Sequence, residues 1–133
     1  MAKPTEAKSN NSFSKSFTGS LTDPNGNVRH FIQGACCRNH DLPAIEYANG
    51  SKIWYKENPK RGEGFGQRSE IQHRVGGPSA IYANGDEHWM QDGVFHRDDG
   101  EPAFISKSIK KWFVNGKLNR IELLSSVVSQ AKE

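Results

Sequence analysis

The sequence predicts a mainly β fold: an antiparallel β-meander of four imperfect hairpin repeats of about 23 residues, followed by a short C-terminal α-helix. The first observation behind this is internal repetition. Tyr47-Ala48-Asn49-Gly50 returns as Tyr82-Ala83-Asn84-Gly85, and each Gly is followed four positions later by a Trp, Trp54 and Trp89. From Trp89 to Arg97 the chain reads WMQDGVFHR, and from Trp112 to Arg120 it reads WFVNGKLNR, with Gly and Arg at the same offsets. The second observation is the spacing of turn signals. Asn-Gly and Asp-Gly pairs accept the positive φ of type I′ hairpin turns, and they fall at Asn25-Gly26, Asn49-Gly50, Asn84-Gly85, Asp92-Gly93 and Asn115-Gly116. The third is what lies between them: short runs rich in Ile, Tyr, Trp, Phe and Val, residues that suit a pleated surface.

Taken in chain order, residues 1–16 contain almost no apolar groups beyond Met1, Ala2, Ala7 and Phe13, with five Ser or Thr and three Lys, and are expected to form a disordered tail. The repeat domain is expected over 17–120. Its first copy is degenerate: residues 25–38 align without gaps onto residues 84–97, with His30 in place of the Trp and Cys37 in place of the His. Trp54 to Trp89 spans 35 residues whereas Trp89 to Trp112 spans 23, and an insertion over 58–69 accounts for the difference. A basic residue followed by a Pro step links the units: Arg38 to Pro43-Ala44, Arg74 to Pro78, and Arg97 to Pro102-Ala103. Pro cannot donate to a ladder, so each should sit at a strand start or edge. The whole meander should hold about eight to ten short strands. Over 121–133, Leu124, Val127, Val128 and Ala131 fall at helical spacing, which predicts an amphipathic helix docked on the sheet or contacting another copy.

Period-two alternation assigns the faces. With Asp92-Gly93 as a two-residue turn, Met90 pairs with Phe95 and Trp89 with His96. Met90, Phe95, Ile81, Phe113 and Leu118 then share one face, and Tyr82, Trp89, Trp112 and His96 share the other, with Tyr47 and Trp54 alongside. Both faces are half apolar, so the sheet must curl or have one face covered.

Composition narrows the function classes. The 133 residues form one domain, large enough to fold unaided. The 18 basic and 15 acidic residues leave a net charge of +3, too mild for a dedicated DNA-binding face and opposite in sign to a nucleic-acid mimic. There is no signal-peptide run and no segment of membrane-spanning length, so a soluble, cytoplasmic protein is expected. Cys36 and Cys37 are adjacent and have no other cysteine to pair with, which fits a reducing compartment.

No chemistry-bearing constellation emerges. Cys37-x-x-His40 has ligand-like spacing without a second pair, and His30, His73, His88 and His96 recur along the repeat rather than converging, so no metal or cofactor is expected. Asp98-Asp99 and Asp86-Glu87 lie beside turns, and no nucleophile motif accompanies them, so the chain reads as a non-enzyme. The Gly-rich insertion lacks the Gly-Lys-Ser/Thr of a phosphate loop. With Lys60, Arg61, Phe65 and Arg68 it is the candidate partner-binding element, or else a tolerated surface insertion. Arg38, Arg74, Arg97 and Arg120 recur at one place in the unit. Each either bonds backbone or carboxylates of a neighbouring unit or, together with His96, forms a row that takes a phosphorylated small ligand, a nucleotide or nucleic acid. The Trp residues are expected to be structural, stacking between units.

His-Arg-Asp-Asp-Gly-Glu-Pro-Ala (96–103), Tyr-Ala-Asn-Gly with a Trp four later, and Asn-Gly-Lys-Leu-Asn-Arg (115–120) resemble a short hairpin repeat of bacteriophage and bacterial proteins, similar in period and hairpin design to MORN repeats. The resemblance covers about three quarters of the chain, and this sequence departs from it at Cys37, Asn119 and the 58–69 insertion. It implies a non-catalytic interaction module, a phage accessory protein that binds and inhibits or redirects a host protein, including a defence component, in the host cytoplasm.

Overall fold

Strand-forming segments alternate with turns throughout the computed structural model, which describes residues 17–64 and 66–124. Among them there are fourteen strands and no helix. The expected tail over 1–16, Phe65, and the 125–133 part of the expected helix lie outside the described residues. The strands are β1 (Gly19–Thr22), β2 (Val28–Ile32), β3 (Ala35–Cys36), β4 (Ile45–Glu46), β5 (Lys52–Ile53), β6 (Tyr55–Glu57) and β7 (Glu70–Gln72). Then come β8 (Ala80–Ile81), β9 (Glu87–His88), β10 (Met90–Gln91), β11 (Val94–Phe95), β12 (Phe104–Ile105), β13 (Ile109–Val114) and β14 (Lys117–Leu123). The helix expected from residue 121 does not begin there, because Ile121, Glu122 and Leu123 continue β14 against Lys111, Lys110 and Ile109.

One antiparallel sheet runs β1-β2-β4-β5-β8-β9-β12-β13-β14, with β3 added beside β2. Two further hairpins, β6-β7 and β10-β11, form separate two-stranded sheets. The strand count exceeds the eight to ten expected because the chain leaves the main sheet at the Trp. Trp54 separates β5 from β6 and Trp89 separates β9 from β10, while the same place in β13 carries a bulge between Trp112 and Phe113. A single strand by sequence pattern is thus split between two layers.

The two sets of turns differ chemically. Gln33-Gly34, Asp92-Gly93 and Asn115-Gly116 take positive φ at both central residues (48°/82°, 52°/82° and 51°/81°), as type I′ turns require. The predicted register follows, with Met90 opposite Phe95 and the His96 amide donating to the Trp89 carbonyl at 3.0 Å. The Tyr-Ala-Asn-Gly turns are built otherwise. Only their Gly has positive φ (97° at both Gly50 and Gly85), and the Gly amide donates to the Tyr carbonyl at 2.9 and 2.8 Å. Asn49 and Asn84 accept the amide two residues on through Oδ1, at 2.9 and 3.0 Å. That side-chain bond holds Asn in an ordinary conformation, so the type I′ expectation fails at these two sites. It fails also at Asn25-Gly26, where only Gly26 has positive φ (90°) and its amide donates to the Asp23 carbonyl at 2.9 Å.

The register places Ile45, Ile53, Ala80, His88 and Phe104 in one row across a single face of the main sheet. The row on the other face reads Glu46, Lys52, Ile81, Glu87 and Ile105, a mixed surface that is half-buried except at Lys52. The covering layer comes from the units themselves. Phe95 of β11 lies edge-on to His88 at 5.3 Å and stacks on Phe113 at 4.9 Å, while Phe31, Cys36, Ala44 and Ile45 form the buried cluster at the other end. Tyr82 joins the first group, edge-on to His88 at 5.1 Å, rather than the Trp side as alternation suggested. Alternation cannot be carried across Trp89, where the chain changes layer.

Residues of the Pro steps are fully buried: Ala44, Ser79 and Ala103 are each 0% exposed. Only small side chains fit where the layers meet so closely. Successive hairpins are joined tip to neighbour, with Gly93 N donating to Gln72 O at 3.0 Å and Gly116 N to Phe95 O at 2.8 Å. At β6-β7 the insertion replaces such a tip, and a side chain supplies the joint instead: the Cys36 amide donates to Glu70 Oε1 at 3.2 Å.

Candidate functional site

The 58–69 insertion closes the β6-β7 hairpin, so it projects from the scaffold at a hairpin tip. Its base is pinned by Asn58, which is 8% exposed. The Asn58 amide donates to Ser69 O at 2.9 Å, its Nδ2 donates to Arg68 O at 2.9 Å, and its Oδ1 accepts the Lys60 amide at 3.0 Å. Lys60 and Arg68 are exposed, whereas Arg61 is held back on the hairpin by Glu57 at 3.1 Å. Gly62, Gly64 and Gly66 all have positive φ with open space where a side chain would stand. Of the predicted partner-binding residues, the structure therefore presents Lys60 and Arg68 to solvent and ties Arg61 to the scaffold, and Phe65 lies outside the described residues.

The arginine series has a repeated geometry that the sequence only hinted at. Each of three Trp rings carries the guanidinium of the Arg on the return strand of its own hairpin: Arg74 over Trp54 at 3.8 Å, Arg97 over Trp89 at 3.5 Å and Arg120 over Trp112 at 4.3 Å. Nη1 of Arg38, Arg74 and Arg97 also donates to the carbonyl of Pro43, Pro78 and Pro102, at 3.3, 3.1 and 3.0 Å. Carboxylates take up further donors. Arg97 Nε is 2.9 Å from Asp99 Oδ1, too far off line for a hydrogen bond but close enough for an ion pair, and Arg120 lies 3.5 Å from Glu122. Where His30 replaces the Trp, the guanidinium stacked on a ring is replaced by an acid shared between the ring and the Arg. Glu46 Oε1 is 2.9 Å from His30 Nε2 and 3.5 Å from Arg38, and the hydrogen bond from His30 holds the Glu46 carboxyl below its ordinary range. The Trp rings are thus capped by arginine. Two of their indole N–H groups make links between units, Trp54 to Asp41 O at 3.0 Å and Trp112 to Gly100 O at 3.1 Å, while that of Trp89 donates to Glu87 Oε1 at 3.2 Å.

The histidines on the return strands do related work. His73 Nδ1 accepts the amide of Asp92 and His96 Nδ1 accepts the amide of Asn115, both at 2.9 Å, so each His fastens the tip of the next hairpin. The remaining proton is then on Nε2, and His96 gives it to Asp98 Oδ1 at 2.6 Å. Burial, with a smaller contribution from Lys56, holds His73 below the ordinary histidine value.

A cleft of about 440 Å³ opens at the base of the β6-β7 hairpin, lined among others by Arg38, Asp41, Trp54, Lys56, His73 and Arg74. Asp41 spans it, its two oxygens receiving Arg74 Nε and Nη2 at 2.9 and 3.2 Å. Asp41 has φ of 56° and His40 of 66°, a left-handed pair at the place where Gly100 (84°) stands after Arg97. Lys56 Nζ pairs with Asp92. Sequence reasoning identified Arg38 and Arg74 but missed Asp41, Lys56 and His73, because the contact between Asp41 and Arg74 crosses from one unit to the next. The cysteines are free and buried, and burial pushes the Cys36 thiol up to about 12. Among the described residues no three His, Cys, Asp or Glu side chains gather as a metal site, and no helix is long and apolar enough to cross a membrane. No protein-family model, no curated protein and no solved structure matches the chain.

Proposed function

We propose that this protein is a non-catalytic protein-interaction module of four imperfect hairpin units, a phage accessory protein that binds and inhibits or redirects a host protein. The observation that carries the reading is the 58–69 insertion: a loop pinned at its base by Asn58, offering Lys60 and Arg68 to solvent from the tip of a rigid hairpin. Loops held by a rigid scaffold are where binding residues concentrate. Four hairpins closed at 33–34, 58–69, 92–93 and 115–116 support the unit count. The competing reading, capture of a phosphorylated ligand by the arginine row, loses support because the guanidiniums of Arg74 and Arg97 are committed to Trp rings, Pro carbonyls and carboxylates.

The test replaces 58–69 by Asn-Gly, which should close the Glu57–Glu70 pair as Asn115-Gly116 closes Val114–Lys117. Pull-down from host lysate with this variant should lose the partner recovered by the full chain, with thermal unfolding unchanged or raised. Equal recovery by a folded variant removes the loop from the interaction.

A further inference from the structure

Outside the 58–69 insertion two units of this chain can be aligned residue by residue, and the acids beside their return-strand His and Arg differ. Trp89, Gln91, His96, Arg97, Asp98 and Asp99 correspond to Trp54, Lys56, His73, Arg74, Val75 and Gly76. In the later unit the loop after Arg97 carries its own acids: Asp98 receives the His96 Nε2–H at 2.6 Å and Asp99 pairs with Arg97 at 2.9 Å. In the earlier unit the loop is Val75-Gly76-Gly77 and carries none. Arg74 is nevertheless satisfied, because Asp41 reaches it from the preceding unit. His73 is not. Its Nδ1 is engaged by the Asp92 amide in the same way as His96 by Asn115, so Nε2 holds the proton, and no described carboxylate is bonded to it. The same comparison puts Lys56 where the later unit has Gln91, and Lys56 is paired with Asp92, whose Oδ1 lies 3.7 Å from His73 Nδ1. The cleft's existing acids, Asp41 and Asp92, thus serve Arg74 and Lys56 and leave His73 Nε2 as the donor without one.

Building on the interaction module proposed above, we infer that the cleft beside His73 is a carboxylate subsite that takes an Asp or Glu side chain of an acidic peptide segment on the partner. The molecule contains its own template for the contact in the His96–Asp98 pair. It also shows that a carboxylate from outside the unit can serve this loop, since Asp41 does so for Arg74. The flat Trp54 ring, capped by Arg74, supplies a wall for the methylene stem of the incoming residue, and the Lys56–Asp92 pair stands on the rim. Val75, 66% exposed, occupies the position from which Asp98 acts in the template, so the approach to His73 is open.

The test is a titration of protein carrying ¹⁵N-labelled histidine with N-acetylated, C-amidated tri-glutamate. Tri-glutamine and inorganic phosphate serve as comparisons, all at constant ionic strength. Tri-glutamate should shift the His73 Nε2–H resonance saturably while tri-glutamine leaves it in place, and phosphate should bind at least fivefold more weakly. Val75→Asp supplies the carboxylate in cis, so it should move the same resonance without peptide and weaken tri-glutamate binding at least fivefold. Three outcomes each overturn the inference: no saturable shift at His73 in the unsubstituted protein, phosphate binding as tightly as tri-glutamate, or undiminished tri-glutamate binding by folded Val75→Asp. The variant with Asn-Gly in place of 58–69 retains the cleft and should bind tri-glutamate normally, so failure of the loop in the pull-down and failure of the subsite are separate results.

Discussion

Arg97→Ala measures how much the arginine–tryptophan cap contributes. Arg97 is 15% exposed at its side chain, covers Trp89 at 3.5 Å and donates to the Pro102 carbonyl at 3.0 Å. A largely desolvated cation–π contact is worth about 1–2 kcal/mol. The hydrogen bond, with the carbonyl left short of a partner, adds about 1 kcal/mol. The pair with Asp99 lies in solvent and changes the total little. The expected loss is therefore about 2–3 kcal/mol, a large fraction of the roughly 5–15 kcal/mol that holds a domain together. For a chain of this length that lowers the thermal midpoint by about 6–10 °C. Urea unfolding followed by Trp fluorescence reads it directly. Arg97→Lys should recover less than half, since an ammonium cannot cover the ring and reach the carbonyl together. Arg120, 61% exposed with its guanidinium at 4.3 Å, should cost under about 1 kcal/mol on conversion to Ala. If Arg97→Ala unfolds within about 0.5 kcal/mol of the parent, the cap is not structural and the guanidinium is available for a ligand. If Arg120→Ala costs as much as Arg97→Ala, burial does not set the size of the contribution.

Three other outcomes follow from particular contacts. A Cβ at Gly77 would stand 2.9 Å from Arg74 Cζ, so Gly77→Ala should dislodge the guanidinium from Trp54, cost about 1–3 kcal/mol and red-shift Trp54 emission. Its effect should be less than additive with Arg74→Ala, and full additivity would refute the clash. Burial holds His73 and His88 below the ordinary value of 6.5, so the unfolded chain binds protons at these sites before the folded one does. Their stabilisation is complete above pH 6.5 and is lost as pH falls through the lower folded values, so the urea midpoint should be lower at pH 5.5 than at pH 7.5. Asp41, Asp92 and Glu46 are held below their ordinary 3.8, 3.8 and 4.5, chiefly by hydrogen bonds from Arg74, Lys56 and His30, so their contributions fade only in stronger acid. A midpoint equal or higher at pH 5.5 would contradict the histidine account. Cys36 and Cys37 should resist iodoacetamide at pH 8 until the protein unfolds, with labelling at the unfolding rate, because burial disfavours both thiolates.

The parts of this fold that were legible in the sequence are those fixed by local chemistry. Asp92-Gly93 and Asn115-Gly116 announce type I′ turns, the register at Met90 and Phe95 follows from the turn length, and the insertion maps to a hairpin tip because it interrupts the count between two Trp residues. Asn49 and Asn84 misled because Asn has two ways to make a turn, and the side-chain bond to the amide two residues on prevailed. The placing of Tyr82 failed because the layer change at Trp89 resets the alternation, and that change depends on packing rather than on residue type. The partner-binding expectation placed Arg61 in the loop's exposed set, yet a carboxylate four residues back draws it onto the hairpin. The cleft was invisible for a different reason: Asp41 meets Arg74 across 33 positions. A trace of it was present all the same, in the missing acids of Val75-Gly76-Gly77 beside the aligned Asp98-Asp99.

The exchange of a backbone joint for a side-chain joint at the insertion has a mechanical meaning. At the tips 92–93 and 115–116 a backbone amide and carbonyl that every sequence possesses hold one hairpin to the next beside the His73 and His96 bonds, so part of each fastening survives mutation. Between Cys36 and Glu70 the fastening is a carboxylate, which a single substitution can remove. Freed of the need to reach its neighbour through backbone, the hairpin tip at 58–69 could lengthen and diversify without disturbing the ladder beneath it. The scaffold is thus constrained along its sheet and permissive at one seam, where the length and sequence of the tip can change while the rest of the molecule keeps its shape.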